Sequence, residues 1–285
     1  MSGSITGQTR VAGVVGMPVH HSLSPAIHNA WLRAADIDAV YVAFPATLET
    51  FGPFVNGLRG GMILGLNVTA PFKERALALA DHRSPQAVAA GAANLLLFNP
   101  DGSIAADNTD GEGLLYAFQT EITGFDPAAG PAAILGAGGA ARGAAAAFLE
   151  AGAPQVIFLN RSREKAEALV GLFGERTQAL GLDDAMGVLS GASVIINATP
   201  LGLNGASAHN LSLERAGTDC VVMDMVYRPI LTALLEEARA RGLRTVDGLW
   251  MLIGQAIPSF IALFGRPPPP IDIRSLALAS VEDNH

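Results

Sequence analysis

AAILGAGGAARGAAAAFLEAG, residues 132–152, places a short apolar run, three glycines within four positions and an alanine-rich run in immediate succession. The first run is short, continuous and apolar, as a strand buried on both faces requires. Gly136 suits the tight turn that leaves such a strand, Gly138 allows close approach of an anionic group to the backbone, and Ala141 takes the helix-packing position, where alanine fits. A second apolar run, QVIFLN at 155–160, follows about twenty residues later. Strand, glycine turn, helix and strand together predict a nucleotide-binding βαβ unit. The alternative is a glycine turn that serves packing alone.

The pattern extends outward in both directions. VAGVVG (11–16), AVYVAF (39–44), MILGLNV (62–68), SVIINA (193–198), CVVMDM (220–225) and LRTVDG (243–248) read as further strands. Helical periodicity fills 24–36, 71–81, 139–151, 162–173, 230–241 and 248–264. Apolar strands alternating with helices predict an α/β chain with parallel sheets. NLLLF and SIAA, flanking the turn NPDG, read instead as a short antiparallel hairpin. The Gly/Pro-rich stretch TGFDPAAGP (123–131) reads as a link, and a second α/β unit runs from it to about residue 245. Helix 248–264 has little room there and is expected to return to the first unit. GRPPPP (265–270) reads as a non-helical tail.

Composition bounds the function. The 285 residues are 50% apolar and 15% charged, enough for sizeable cores and against general disorder. A formal charge of −8 argues against a nucleic-acid or anionic-membrane surface, though not against a small anionic substrate in a local pocket. A single cysteine, Cys220, excludes an intrachain disulfide and fits a reducing compartment; its apolar run makes it a core thiol. The first ten residues lack the apolar region of a signal peptide, and no apolar run is long enough to span a bilayer. The expectation is a cytoplasmic protein.

Where the second strand of the nucleotide unit ends, a chain selecting NAD offers an acidic residue to the ribose hydroxyl. This chain has Asn160, Arg161, Ser162 and Arg163. Arginine binds a 2′-phosphate through charge-assisted, often bidentate bonds, whereas a carboxylate repels it. NADP is therefore the expected cofactor; the bland alternative is a solvated helix start with stray basic residues.

Small polar residues gather at strand ends in the N-terminal half. HSLSP puts the hydroxyls of Ser22 and Ser24 at a helix N-terminus, a good carboxylate site, although Ser24 equally suits an N-cap. NVT, GAAN and DNTDGEG bring Asn67, Thr69, Asn94 and Asp110 to strand ends and loops. Neutral amides and hydroxyls suit a polyhydroxylated ligand, although each residue singly also suits turn chemistry. In APFKE, Pro71 favours a helical first turn and places Lys73 in it, where the helix dipole disfavours a cation. An Asp–Lys pair can hold and move a proton. His20 and His21 do not make a metal site, because adjacent histidines diverge and no carboxylate is spaced to join them; no metal is expected.

The segments HSLSPAIHN, NVTAPFK, GAAN, DNTDGEG, LGAGGAARG, NRS, NATPLGL, DMVYRP and GLWMLIGQA resemble, in order and spacing, those of shikimate dehydrogenases, from about residue 11 to 265. The resemblance implies an α/β, two-domain fold: an N-terminal α/β substrate domain completed by C-terminal helices (1–122 and 246–285) and a Rossmann-like NADP-binding domain (123–245). It implies reversible reduction of 3-dehydroshikimate to shikimate, with quinate or an amino-shikimate as the alternative substrate and a non-catalytic NADP- or metabolite-sensing module as the alternative outside catalysis. It also implies a small-molecule substrate and a monomer or homodimer. By the same resemblance Ser22, Ser24 and Tyr227 bind the substrate carboxylate. Asn67, Thr69, Asn94 and Gln255 meet ring hydroxyls or carboxylate, and Lys73 and Asp110 form the catalytic pair. Gly136, Ala137, Gly138, Gly139 and Ala140 cradle the pyrophosphate, and Asn160, Arg161 and Ser162 hold the adenosine phosphate. Thr199 lies near the nicotinamide ribose, and Met225 and Gly248 near the nicotinamide. Leu95, Ala233 and Ala256 depart from the family's usual residues.

Overall fold

Alternating apolar strands produce two separate six-stranded sheets in the computed structural model, which describes residues 5–203 and 212–282. The chain divides into two units, Met1–Thr109 with Gln255–His285, and Asp110–Gly254. The expected boundaries lay at the Gly/Pro-rich link and at 245/246; the observed ones fall just before Asp110 and inside the last long helix.

In the first unit the described elements are β1 (Arg10–Gly16), α1 (Ser24–Ala34), β2 (Ala39–Pro45), α2 (Phe51–Gly57), β3 (Ile63–Val68), α3 (Lys73–Leu79), β4 (His82–Arg83), α4 (Pro85–Ala90), β5 (Leu95–Phe98) and β6 (Ile104–Asp107). The sheet runs β2-β1-β3-β5-β6-β4. β1 pairs in parallel with β2 and β3, whereas β5 is antiparallel to β3 and β6, so the hairpin expected around NPDG is present. β4 has only two residues, too short for any periodic signal. Val15, Leu66, Val68, Leu96 and Ile104 form a core with Phe51, Phe72 and Ala76 of α2, α3 and the turn between β3 and α3.

The second unit holds α5 (Asp110–Glu121), β7 (Ala132–Leu135), α6 (Gly139–Glu150), β8 (Val156–Leu159), α7 (Arg163–Phe173), β9 (Thr177–Leu180), α8 (Ala185–Leu189), β10 (Val194–Asn197), β11 (Val221–Asp224), α9 (Ala233–Ala240) and β12 (Arg244–Val246). Its sheet is wholly parallel, ordered β12-β11-β10-β7-β8-β9. Successive side chains alternate between two cores. Ala132, Ile134, Val156, Phe158, Val194 and Ile196 face one, with Phe118 and Phe148; Ala133, Leu135, Ile157, Leu159 and Ile195 face the other, with Leu234 and Leu235. Continuous apolar runs result because both faces are buried. β9 escapes such a search, since its residues alternate between buried and exposed. The sheet also explains the unit's start: Leu114, Ala117 and Phe118 of α5 belong to the first of these cores, so this helix folds with the second sheet. Cys220 is buried in the other core, which pushes its thiol up to about 12 against the opposing effect of Arg244.

α10 (Gly248–Phe264) begins in the second unit and ends in the first, the boundary falling after Gly254. GRPPPP is non-helical, as expected, but is followed by α11 (Ile273–Glu282), which packs on α1.

Candidate active site

In the first unit, strand ends and loop starts place a chain of buried polar side chains beside one another. Asn67, near the end of β3, is 6% exposed. Its Nδ2 donates to the Asn94 carbonyl (3.1 Å) and to Ser259 Oγ (2.9 Å), and its Oδ1 accepts from Tyr41 Oη (2.8 Å). Asn94, just before β5, donates from Nδ2 to Thr109 Oγ1 at 2.9 Å and to Gln255 Oε1 at 3.4 Å. The Thr109 backbone N–H donates to Asn94 Oδ1 at 2.8 Å, and the hydroxyl of Thr109 donates to the Gln255 carbonyl at 3.0 Å. Ser259 Oγ donates to the same carbonyl at 3.0 Å from one turn further along α10. All six residues are buried. In such surroundings an unmade hydrogen bond costs about 1–3 kcal/mol, so the partners hold one another in register.

The other expected residues of the first unit lie at strand ends and helix starts. Thr69 is half-buried, its backbone N–H donating to the Val15 carbonyl at 3.0 Å. Lys73 is the first residue of α3, and Pro71 lies in the turn before it rather than in the helix. The Lys73 carbonyl accepts from Ala93 N at 2.9 Å, which ties the helix start to the residue before Asn94. Leu23, not Ser24, occupies the N-cap position of α1, and no side chain caps it. Ser24 is therefore not used as a cap; Ser22 Oγ accepts from its backbone N–H at 3.3 Å. The rings of His20 and His21 stand at 89° to each other, and among the described residues no group of three or more His, Cys, Asp or Glu is arranged to hold a metal ion. Of the departures from the family pattern, Leu95 and Ala256 are buried core residues and Ala233 opens α9.

In the second unit the expected residues gather at the carboxyl ends of the parallel strands. Gly136 follows β7 with φ of +110°, and a Cβ there would stand 3.0 Å from Thr199 Cγ2, so the glycine turn and the loop after β10 are close neighbours. Gly138, Gly139 and Ala140 are exposed, and a Cβ on either glycine would meet nothing within 4 Å. Gly138 caps α6 without any side-chain bond, leaving the backbone N–H groups of a twelve-residue helix available to an anion. This open backbone fits a dinucleotide pyrophosphate. Beyond β8, Asn160 Nδ2 donates to the Ser162 carbonyl at 2.7 Å, and Ser162 Oγ donates to Glu164 at 2.8 Å. Arg163 pairs with Glu167 at 3.0 Å along α7, whereas Arg161 is exposed and pairs with no carboxylate among the described residues.

Thr199 is held through Asn197, whose Oδ1 accepts from its backbone N–H at 3.0 Å and its hydroxyl at 2.7 Å. Asn197 Nδ2 in turn donates to Asp224 Oδ1 at 2.8 Å, and Thr232 Oγ1 donates to Asp224 Oδ2 at 2.7 Å. Gly248 abuts Met225 so closely that a Cβ would fall 2.4 Å from the Met225 carbonyl oxygen, which brings these two expected residues together. Tyr227 follows on the same loop, and burial raises its hydroxyl pKa against the opposing effect of Arg228. Asp110 opens α5, with Glu112 in the same turn, where the dipole favours acids. Lys73 belongs to the first unit and Asp110 to the second.

Sequence reasoning did not single out Tyr41, Thr109 or Ser259 in the first unit, nor Asn197, Asp224 and Thr232 in the second. Ser259 carried one signal, its spacing of four from Gln255 on an apolar helix. Tyr41 carried none, because an aromatic residue in a strand reads as core.

Comparison with known proteins agrees with both units. Residues 14–96 match the model of the shikimate dehydrogenase substrate binding domain, and residues 124–225 that of shikimate / quinate 5-dehydrogenase. The chain is 54% identical over 279 residues to the shikimate dehydrogenase (NADP(+)) of Caulobacter vibrioides, covering 98% of each. It is 44% identical to that of Dinoroseobacter shibae, covering 94% of this chain and 97% of the relative. Among solved structures it is similar to the Thermus thermophilus shikimate 5-dehydrogenase in complex with NADP(H) and shikimate, at a TM-score of 0.85 and 37% identity, covering 95% and 99% of the two chains. The Corynebacterium glutamicum quinate dehydrogenase in complex with NAD matches at a TM-score of 0.86 with 26% identity, covering 96% and 99%.

Proposed function

We propose the reaction from one premise: this chain belongs to the shikimate dehydrogenase family. It catalyses the reversible, NADP-dependent reduction of 3-dehydroshikimate to shikimate. The observation that carries this reading is the buried array of amides and hydroxyls around Asn67, Asn94, Thr109 and Gln255, whose mutual hydrogen bonds set polar groups suited to a ring polyol on a fixed frame.

Ser22 and Ser24, with Tyr227, bind the carboxylate, and Asn67, Thr69, Asn94 and Gln255 meet the ring. Gly136–Ala140 and the start of α6 bind the pyrophosphate of NADP, Arg161 its 2′-phosphate, and Thr199, Met225 and Gly248 the nicotinamide end. Bound NADPH supplies the hydride that reduces the ring ketone. Lys73 neutralises the developing alkoxide and delivers the proton that completes the alcohol; in the reverse direction the neutral Lys73 amine, or else the Asp110 carboxylate, accepts that proton. A single buried cysteine suits an enzyme of the reducing cytoplasm. No described helix is long and apolar enough to cross a membrane.

Initial rates with shikimate and quinate, each with NADP and NAD, test the reading. Shikimate with NADP has the highest kcat/KM. Arg161→Ala raises the KM for NADP by roughly 10- to 100-fold, the worth of a charge-assisted contact, and leaves that for NAD nearly unchanged. Better turnover of quinate, or an unchanged cofactor preference in Arg161→Ala, contradicts the assignment.

A further inference from the structure

We propose that Tyr41 and Ser259 are positioning residues that act through Asn67 and leave Asn67 able to offer the substrate only a hydrogen-bond acceptor. The inference rests on the substrate site proposed above and assigns the chemistry of one of its contacts. A carboxamide has two N–H donors and two lone pairs on oxygen. The direction of the Asn67 amide follows from its neighbours. The Asn94 carbonyl can only accept, so the atom facing it must be Nδ2. The second amide hydrogen goes to Ser259 Oγ, whose own hydrogen is directed to the Gln255 carbonyl. Both donors are thus spent inside the protein. On the other side Oδ1 accepts one bond among the described residues, from Tyr41 Oη, which leaves it one lone pair.

Tyr41 is itself fixed in three ways. Its ring stacks on His28 with centroids 4.2 Å apart and planes within 4°. Its backbone N–H donates to Asn29 Oδ1 at 3.0 Å, and its carbonyl accepts from Asn29 Nδ2 at 2.7 Å. His28 and Asn29 are consecutive residues of α1, so one helix turn grips both the ring and the backbone of this strand residue. Burial keeps the phenol neutral and hence a donor. Both ring nitrogens of His28 are buried without a hydrogen-bond partner among the described residues, so the imidazole contributes a flat face rather than a polar contact.

The free lone pair of Asn67 therefore accepts from a ring hydroxyl and cannot serve a carboxylate or the ketone oxygen, which have no hydrogen to give. Tyr41→Phe and Ser259→Ala are each expected to raise the KM for shikimate by about 3- to 10-fold, the worth of one hydrogen bond, while kcat and the KM for NADP stay within about twofold. In the Asn67→Ala background Tyr41→Phe adds no further loss, because its route to the substrate is gone. One monodeoxy shikimate binds less tightly to the wild type and no less tightly to Asn67→Ala than shikimate does. Additive losses in the double variant, an equal rise in the KM for NADP, or unchanged kinetics in both single variants overturn the inference. The two variants alter different elements, so misfolding of one, seen as a lowered Tm, leaves the other as the test. A wild type inactive on shikimate overturns the substrate assignment as well, whereas an active wild type with unaffected variants overturns this inference alone.

Discussion

The two units prepare opposite kinds of surface at the ends of their strands. In the first, side chains do the work: Asn67, Asn94, Thr109, Ser259 and Gln255 are buried and tied to one another. In the second, the glycine turn presents backbone, and the useful property at Gly138 and Gly139 is the open space where a side chain would be. The difference follows from the ligands. A small ring with several hydroxyls is distinguished by donors and acceptors at fixed points, which requires side chains whose own freedom has been removed. A pyrophosphate is large and anionic, so helix N–H groups and unobstructed approach suffice to bind one, and in the function proposed above selectivity falls to Arg161. Removing side chains should harm the first unit, and adding them should harm the second.

The largest effect is expected at Lys73. Lys73→Ala should lose about 10²- to 10⁴-fold in kcat, the usual worth of a positioned proton donor, with shikimate affinity by titration nearly kept. Near wild-type turnover would show that the first unit only binds. A smaller effect, of opposite design, is expected at Gly138. Gly138→Ala adds a Cβ that meets no described protein atom within 4 Å, so Tm should hold while the KM for NADP rises about tenfold through obstruction of the phosphates. An unchanged KM would place the pyrophosphate elsewhere.

The remaining effect concerns acid stability. Burial lowers the pKa of His28 to about 3 from 6.5, so the unfolded chain binds the proton more readily. The neutral histidine is compatible with the fold above about pH 6.5, and stability falls as the pH drops from there towards 3, with a slope approaching 1.4 kcal/mol per pH unit. His28→Phe keeps the stacking on Tyr41 and should flatten this dependence in urea unfolding measured between pH 7 and 4. A slope equal to that of the wild type would remove His28 as the cause.

Much of this was legible along the chain. The alternation of apolar strands and helices, the glycine turn at 136–139 and the hairpin at 95–107 depend on neighbours within a few positions, where backbone sterics and side-chain period act directly. Ser22, Lys73, Asn94 and Asp110 stood out for the same reason, as polar residues where a strand or helix begins or ends. The beginning of the second unit did not stand out. Only the packing of Phe118 with Phe148 and Phe125 shows that α5 folds with the second sheet and not the first.

The order of the elements and the kinds of chemistry at their ends follow from the amino-acid sequence alone. It could not determine which atoms those groups retain for a ligand. Asn67 reads as a versatile amide, yet its donors are consumed by the Asn94 carbonyl and by Ser259, 192 positions away in sequence, and its oxygen is half consumed by Tyr41. Hydrogen-bond capacity is finite and is spent on whatever lies within about 3 Å, whatever its distance along the chain. Only the tertiary structure decides that spending.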